Sequence, residues 1–108
     1  MTDQEIRAAA ARGATWLDRR KRGWHRMVVM RELVMSDCSM CVLGQVFGDY
    51  IAAVGDYCLT NQQTFKYGFS LLKVWESESY PLLRRAWLRE IRRRRAADAK
   101  PKRKASTT

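Results

Sequence analysis

Residues Asp37–Tyr50 read DCSMCVLGQVFGDY, and the fold turns on how this stretch is understood. It holds a C-x-x-C pair, Cys38 and Cys41, and a G-x-x-x-G pair, Gly44 and Gly48. The first spacing points to a metal or redox site, the second to a helix packed unusually closely. Ser36 and Asp37 are good N-cap residues and Gly55 is a suitable stop, so the pattern predicts one helix from about Cys38 to Val54. On a wheel of about 100° per residue, Leu43, Val46, Phe47, Tyr50 and Val54 share a broad core-facing arc. Cys41, Gly44, Gly48 and Ala52 line up opposite as a stripe of small residues. Glycine inside a helix costs about 0.5–1 kcal/mol relative to alanine, so two of them a turn apart predict the close approach of another backbone. The small-residue spacing is best known from membrane helices, but its geometry holds in water too. This reading makes the stretch the central helix, with Cys38, Gln45 and Asp49 on its remaining edge. It makes Cys41, Gly44, Gly48 and Ala52 structural residues, and it implies that Gly48→Leu abolishes folding.

Outward from this helix, the rest of the chain also reads as helical. Thr2 and Glu5 match a capping box, and Ile6, Ala9, Ala10, Gly13, Trp16 and Leu17 recur at helical spacing, predicting a helix from about Asp3 to Arg20. Its end carries Arg19, Arg20, Lys21 and Arg22 before Gly23, as suits the negative helix terminus and a glycine cap. Trp24 to Met35 lacks a helical period, and its Val28, Val29, Leu33 and Val34 favour an extended connector with one short strand-like piece. Asn61, Gln62 and Gln63 mark a turn, and Thr64 to Trp75 reads either as a helix interrupted at Gly68 or as two short apolar segments. A last helix starts with Ser79 as cap and Pro81 in the first turn. It carries Leu83, Trp87 and Ile91 as a narrow apolar stripe, with Trp87 the structural anchor. The expected architecture is all-α: a bundle of three or four helices in a single domain over residues 1–97, followed by a basic disordered tail over 98–108.

Size and composition agree with one modest core. The chain has 108 residues, 46% of them hydrophobic, enough for a single domain without a cofactor. No secretory leader and no membrane-length apolar run is legible, so a cytoplasmic protein with no membrane partner is expected. The net charge of +10 is unevenly placed. Residues 84–104 contribute eleven Lys or Arg against Glu90 and Asp98, whereas residues 1–83 are nearly neutral. Arg85, Arg89, Arg92 and Arg93 fall opposite the apolar stripe of the last helix, and Arg94, Arg95, Lys100, Lys102, Arg103 and Lys104 extend the cationic arm. Guanidinium groups bind phosphate bidentately, so these residues are the expected contacts to DNA or RNA. No helix-turn-helix, finger or RNA-binding signature accompanies them, which implies binding without base specificity.

The soft and nitrogen ligands are His25, Cys38, Cys41 and Cys58, a set that matches a Cys3His zinc site in number. Against it stand the single C-x-x-C and spacings that fit no standard finger, so ordinary packing of Cys41 is favoured over zinc. A redox C-x-x-C would want a βαβ context that is absent. His25 is the one histidine, with no nucleophile or carboxylate placed beside it by a recognised spacing, and no phosphate-cradling loop or H-E-x-x-H occurs. A non-enzymatic protein with no cofactor and no small-molecule substrate is expected.

Cys41–Tyr50 (CVLGQVFGDY), with Tyr67-Gly68-Phe69 and Trp87-x-x-x-Ile91-x-Arg93, resembles a group of small proteins of actinobacteria and their bacteriophages that carry Cys-Val-Leu-Gly-Gln followed by an apolar-aromatic-Gly turn. The resemblance spans roughly Trp24 to Arg95. It implies a phage or actinobacterial cytoplasmic protein and brings no activity with it. Accessory proteins of that kind commonly act on a host protein, so a protein-interaction module stands as the alternative to nucleic-acid binding, and a zinc-stabilised regulatory module as a third.

Overall fold

Thr2 and Glu5 close the capping box expected of them: Thr2 N donates to Glu5 Oε1 at 2.7 Å, and Glu5 N to Thr2 Oγ1 at 3.1 Å. The helix they start, α1 (Asp3–Arg20), buries Ile6, Ala9, Ala10, Gly13, Trp16 and Leu17, the stripe that the periodicity marks. The computed structural model describes residues 2–70 and 79–99, and every regular element among them is helical. After α1 come α2 (Trp24–Met27), a 3₁₀ turn (Met30–Glu32), α3 (Val42–Phe47), α4 (Tyr50–Asp56), α5 (Asn61–Lys66) and α6 (Tyr80–Ala99). The expected small all-α bundle is what forms, though among the described residues it is built from two long helices and four short ones rather than three or four in all.

The central helix expected over residues 38–54 is a correction. Residues 37–41 form a loop instead, held by the Asp37 carboxylate, which accepts from Ser39 N, Ser39 Oγ and Met40 N. Cys41 then caps α3, its sulfur accepting from Gly44 N at 3.2 Å. Gly48 stops α3 at φ +96°, a conformation that side chains rarely adopt, and Asp49 restarts the chain as the N-cap of α4, accepting from Ala52 N. With the helix broken there, the stripe of Cys41, Gly44, Gly48 and Ala52 does not exist as one face, and Ala52 is exposed. Gly55 lies inside α4, and the chain is turned after it by Cys58, whose φ is +53°. Leu59 N bonds to Val54 O and Cys58 N to Gly55 O, a Schellman motif without its usual glycine.

The two glycines of the opening stretch thus do different jobs. A Cβ on Gly44 would lie 2.3 Å from Cys38 O and 2.6 Å from the Ser39 carbonyl carbon, so Gly44 lets the 37–41 loop fold back over α3. A Cβ on Gly48 would meet nothing within 4 Å. Gly48→Leu is accordingly expected to cost about 1–2 kcal/mol of backbone strain, much the same as Gly48→Ala, and to leave the fold intact. At residue 44 size decides: Gly44→Ala should cost about 1–3 kcal/mol by overpacking and Gly44→Leu considerably more. Thermal unfolding of the four variants checks this, and a strong dependence on side-chain size at residue 48 would contradict it.

Close backbone packing occurs elsewhere, on α1. Gly68 ends the turn after α5 at φ +69°, and a Cβ there would lie 2.9 Å from Ala10 N. At Gly13 a Cβ would lie 2.0 Å from Tyr67 O and 2.8 Å from the Trp87 ring. α1 and α6 run in the same direction: Asp3 and Arg7 share a hollow with Leu82, Arg85 and Arg89, while Asp18 meets Arg94 further on. Residues 61–63 are a further correction, because Thr60 and Gln63 form a second reciprocal capping box that starts α5 where a turn is expected. The expected apolar run to Trp75 lies, from Leu71 on, outside the described residues.

Of the connector expected over Trp24 to Met35, Trp24–Met27 is helical, a correction, and Val28 to Leu33 is extended in part, with Val28, Val29 and Leu33 in the β region, but it pairs with no strand among the described residues. Its backbone groups still need partners. Gln45 supplies two, accepting from Val29 N at 2.6 Å and donating to Val29 O at 3.4 Å. Arginines of α6 donate to further carbonyls. Arg84 donates to Leu33 O at 2.7 Å and to Met30 O at 3.2 Å, and Arg95 donates to His25 O and Val28 O.

Candidate functional site

The apolar stripe of α6 is buried as expected: Leu83, Trp87 and Ile91 are each fully covered, with Ala86 and Leu88 beside them. Seven arginines lie along the helix, and the structure divides them into two sets. Arg84, Arg94 and Arg95 turn inward and hold the fold together. Arg85, Arg89, Arg92 and Arg93 are exposed. Two of the expected phosphate contacts, Arg94 and Arg95, also make hydrogen bonds within the fold. Arg94 binds Asp18 through Nε and Nη2 and Glu90 through Nη1, the last at 2.8 Å. Burial pushes the Asp18 carboxyl up, but hydrogen bonds from Arg94 and from Trp24 Nε1 outweigh it and hold it below the ordinary carboxylate range.

Arg92 stands on the ridge between two hollows. The larger, about 610 Å³, lies between α6 and the connector and is lined by Arg26, Arg31, Arg84, Arg92 and Arg95 with an apolar floor that includes Met30 and Leu88. No carboxylate lines it among the described residues. The smaller, about 170 Å³, contains Arg7, Arg85, Arg89 and Arg92, with Asp3 as the carboxylate among its described lining residues. Arg84 and Arg95 enter the larger groove already fixed by their carbonyl bonds, so a bound anion would meet donors that have lost most of their side-chain freedom before it arrives. Arg93 lies 3.5 Å from Glu90 and remains mostly exposed. Lys100, Lys102, Arg103 and Lys104 lie outside the described residues.

The domain boundary expected at residue 98 moves outward. α6 continues through Ala99, and Asp98 belongs to the fold: its Oδ2 lies 2.6 Å from His25 Nε2 and 3.0 Å from Arg26 Nε. Those two bonds, first His25 and then Arg26, hold the Asp98 carboxyl below its ordinary range. An ionised carboxylate can only accept, so Nε2 carries the proton. His25 is buried, and its Nδ1 makes no hydrogen bond among the described residues. Sequence spacing does not reveal this pair because 73 residues separate its members.

The structure does not assemble His25, Cys38, Cys41 and Cys58 into one centre. Among the described residues no three His, Cys, Asp or Glu side chains lie together as a metal site. Cys38 and Cys58 are exposed, Cys41 is buried, and none is disulfide-bonded. Burial raises the Cys41 thiol above its ordinary value, so it serves as a protonated cap rather than an activated nucleophile. Among the described residues no helix is long and apolar enough to cross a membrane. No protein family, curated protein or solved structure matches the chain.

Proposed function

We propose that the protein binds nucleic acid without base specificity along the outward arginine face of α6. The observation that supports this reading is the groove beside Arg92, where five guanidinium groups converge with no carboxylate in the described wall. Such a wall attracts anions, guanidinium groups bind phosphate bidentately, and the counterions released from a nucleic acid supply the affinity. Arg85, Arg89 and Arg92 carry the phosphate contacts, Arg93 and the cations beyond residue 99 add to them, and Arg84 and Arg95 present fixed donors in the groove wall. Backbone contacts of this kind position a duplex without reading its bases.

Fluorescence anisotropy of a labelled duplex, titrated between about 50 and 200 mM salt, tests the reading. The logarithm of the binding constant should fall linearly with that of salt, and R85Q/R89Q/R92Q should make the slope shallower by about 2–3. These three side chains make no internal hydrogen bond among the described residues, so melting should be unchanged. Salt-independent binding, or a triple variant that binds as wild type, overturns the reading.

A second reading, a module that docks on a host protein, is supported by exposed apolar side chains on the connector and the loop that follows it. Val29, Val34 and Met40 are 41%, 46% and 38% exposed, and their backbones converge on Gln45 and Met40 O. Recovery of one stoichiometric protein from nuclease-treated host lysate, tolerant of salt and lost in V34D, would favour it over the first.

A further inference from the structure

A second cationic hollow lies away from α6, between the C-terminal half of α1 and the end of α5. It is about 460 Å³, and its described wall holds Arg12, Arg19, Arg20 and Lys66 around Trp16 and Tyr67, with no carboxylate. Its charges come from segments that the sequence keeps far apart. The Arg20 guanidinium lies over the Trp16 ring at 4.8 Å from the centroid, and Lys66 Nζ lies 5.7 Å from the centroid of Tyr67. Arg12 Nε donates to Lys66 O at 2.9 Å. The aromatic rings are themselves fixed, Trp16 packing edge-on against Phe69 and Tyr57. Cations laid on aromatic faces keep their outer edges free for an oxyanion and lose little further entropy on binding it.

The placement matters as much as the charge. Arg7 and Asp18 are among the α1 residues that meet α6, whereas Arg12, Trp16 and Arg19 face α5. At about 100° per residue the two sets occupy opposite flanks of α1. One duplex lying along the α6 face therefore does not cover the hollow.

We propose that this hollow is a second phosphate-binding site, and that one chain bridges two nucleic-acid segments, one on α6 and one on the α1–α5 hollow. The inference rests on the α6 reading for its first contact and on the hollow for its second. A biotinylated duplex on beads, incubated with the full-length protein and a fluorescent second duplex, should retain the second duplex at about 50 mM salt and release it as salt rises. R19Q/R20Q/K66Q should lower that capture about tenfold while anisotropy of a single duplex changes by less than about twofold. R85Q/R89Q/R92Q should also abolish capture. All these side chains are exposed, and unchanged thermal melts confirm that the variants are folded. Undiminished capture by R19Q/R20Q/K66Q overturns the inference, since bridging would then arise from self-association. Wild-type protein that binds one duplex but captures no second also overturns it and leaves the α6 reading standing. Wild-type protein that binds no duplex at all sinks both.

Discussion

Trp87→Ala is expected to lower the free energy of unfolding by about 3–5 kcal/mol, the range for truncating a large buried aromatic side chain. Its ring is where the bundle meets. It stacks on Phe69 at 5.5 Å and 17°, and meets the edge of Trp24 at 5.7 Å and 87°. The same indole lies directly beneath Gly13 of α1, which has no side chain to hold it off. Its Nε1 donates to Gly68 O at 2.7 Å, so the turn that ends α5 is tied to α6 through this side chain. Loss of the ring opens a cavity bordered by three helices and frees a buried carbonyl. A domain of this size is stable by only about 5–15 kcal/mol, so the variant should sit near its folding threshold at 37 °C. Trp87→Phe separates the contributions, keeping most of the apolar volume while losing the N–H, and should cost about 1–2 kcal/mol. Urea unfolding reads both. A Trp87→Ala penalty below about 1 kcal/mol would show that the ring is not the junction its contacts describe.

The parts of this fold that the sequence makes legible are those specified within a few residues. Thr2 and Glu5 define the start of α1, and Ile6 to Leu17 define its buried face, because a cap and a 3.6-residue period are both local. The apolar stripe of α6 is legible for the same reason. The broken central helix was also locally encoded, in the Gly48-Asp49 pair: a glycine suited to a C-terminal stop followed at once by an aspartate suited to an N-cap. A wheel drawn across the pair conceals the break by assuming the continuity it is meant to test. Thr60 and Gln63 repeat the logic of Thr2 and Glu5, but the polar run Asn61-Gln62-Gln63 suggests a turn more strongly than its cap suggests a helix.

The division of arginines was not legible. Arg84 and Arg95 look like members of a solvated charge run, and nothing nearby shows that carbonyls of an unpaired extended segment, some 51 to 70 residues earlier, need their donors. Likewise Arg19 and Arg20 read as cations at a helix end, and nothing in the sequence joins them to Arg12 or Lys66 until α5 is folded against α1. Uneven charge along the chain correctly singles out α6 as the cationic element. It says little about which guanidinium groups face outward, because that depends on which backbone groups the fold leaves without partners.

Arg94→Ala should be the most damaging loss of a single charge, at about 3–5 kcal/mol. Its guanidinium joins Glu90, whose side chain is only 8% exposed, to Asp18, and it lies 5.7 Å from the centroid of the Trp24 ring. Removing it strands the buried Glu90 carboxylate with Arg93 at 3.5 Å as its remaining described partner. The cost is that of an uncompensated buried charge more than of a lost attraction, and this makes the effect separable. If so, the double variant R94M/E90L, which removes both charges and keeps volume, should recover most of the stability lost in Arg94→Ala. Acid supplies an independent readout through Asp18. Its carboxyl lies below its unfolded value in the folded protein, so its contribution is complete above that unfolded value, about pH 3.9, and disappears as pH falls through the lower folded value. Wild-type stability should therefore fall on that acid limb, and Arg94→Ala should flatten it. Penalties that simply add in the double variant, with an unchanged acid limb, would mean that Arg94 contributes through its packing alone and that the three charges do not act as a unit.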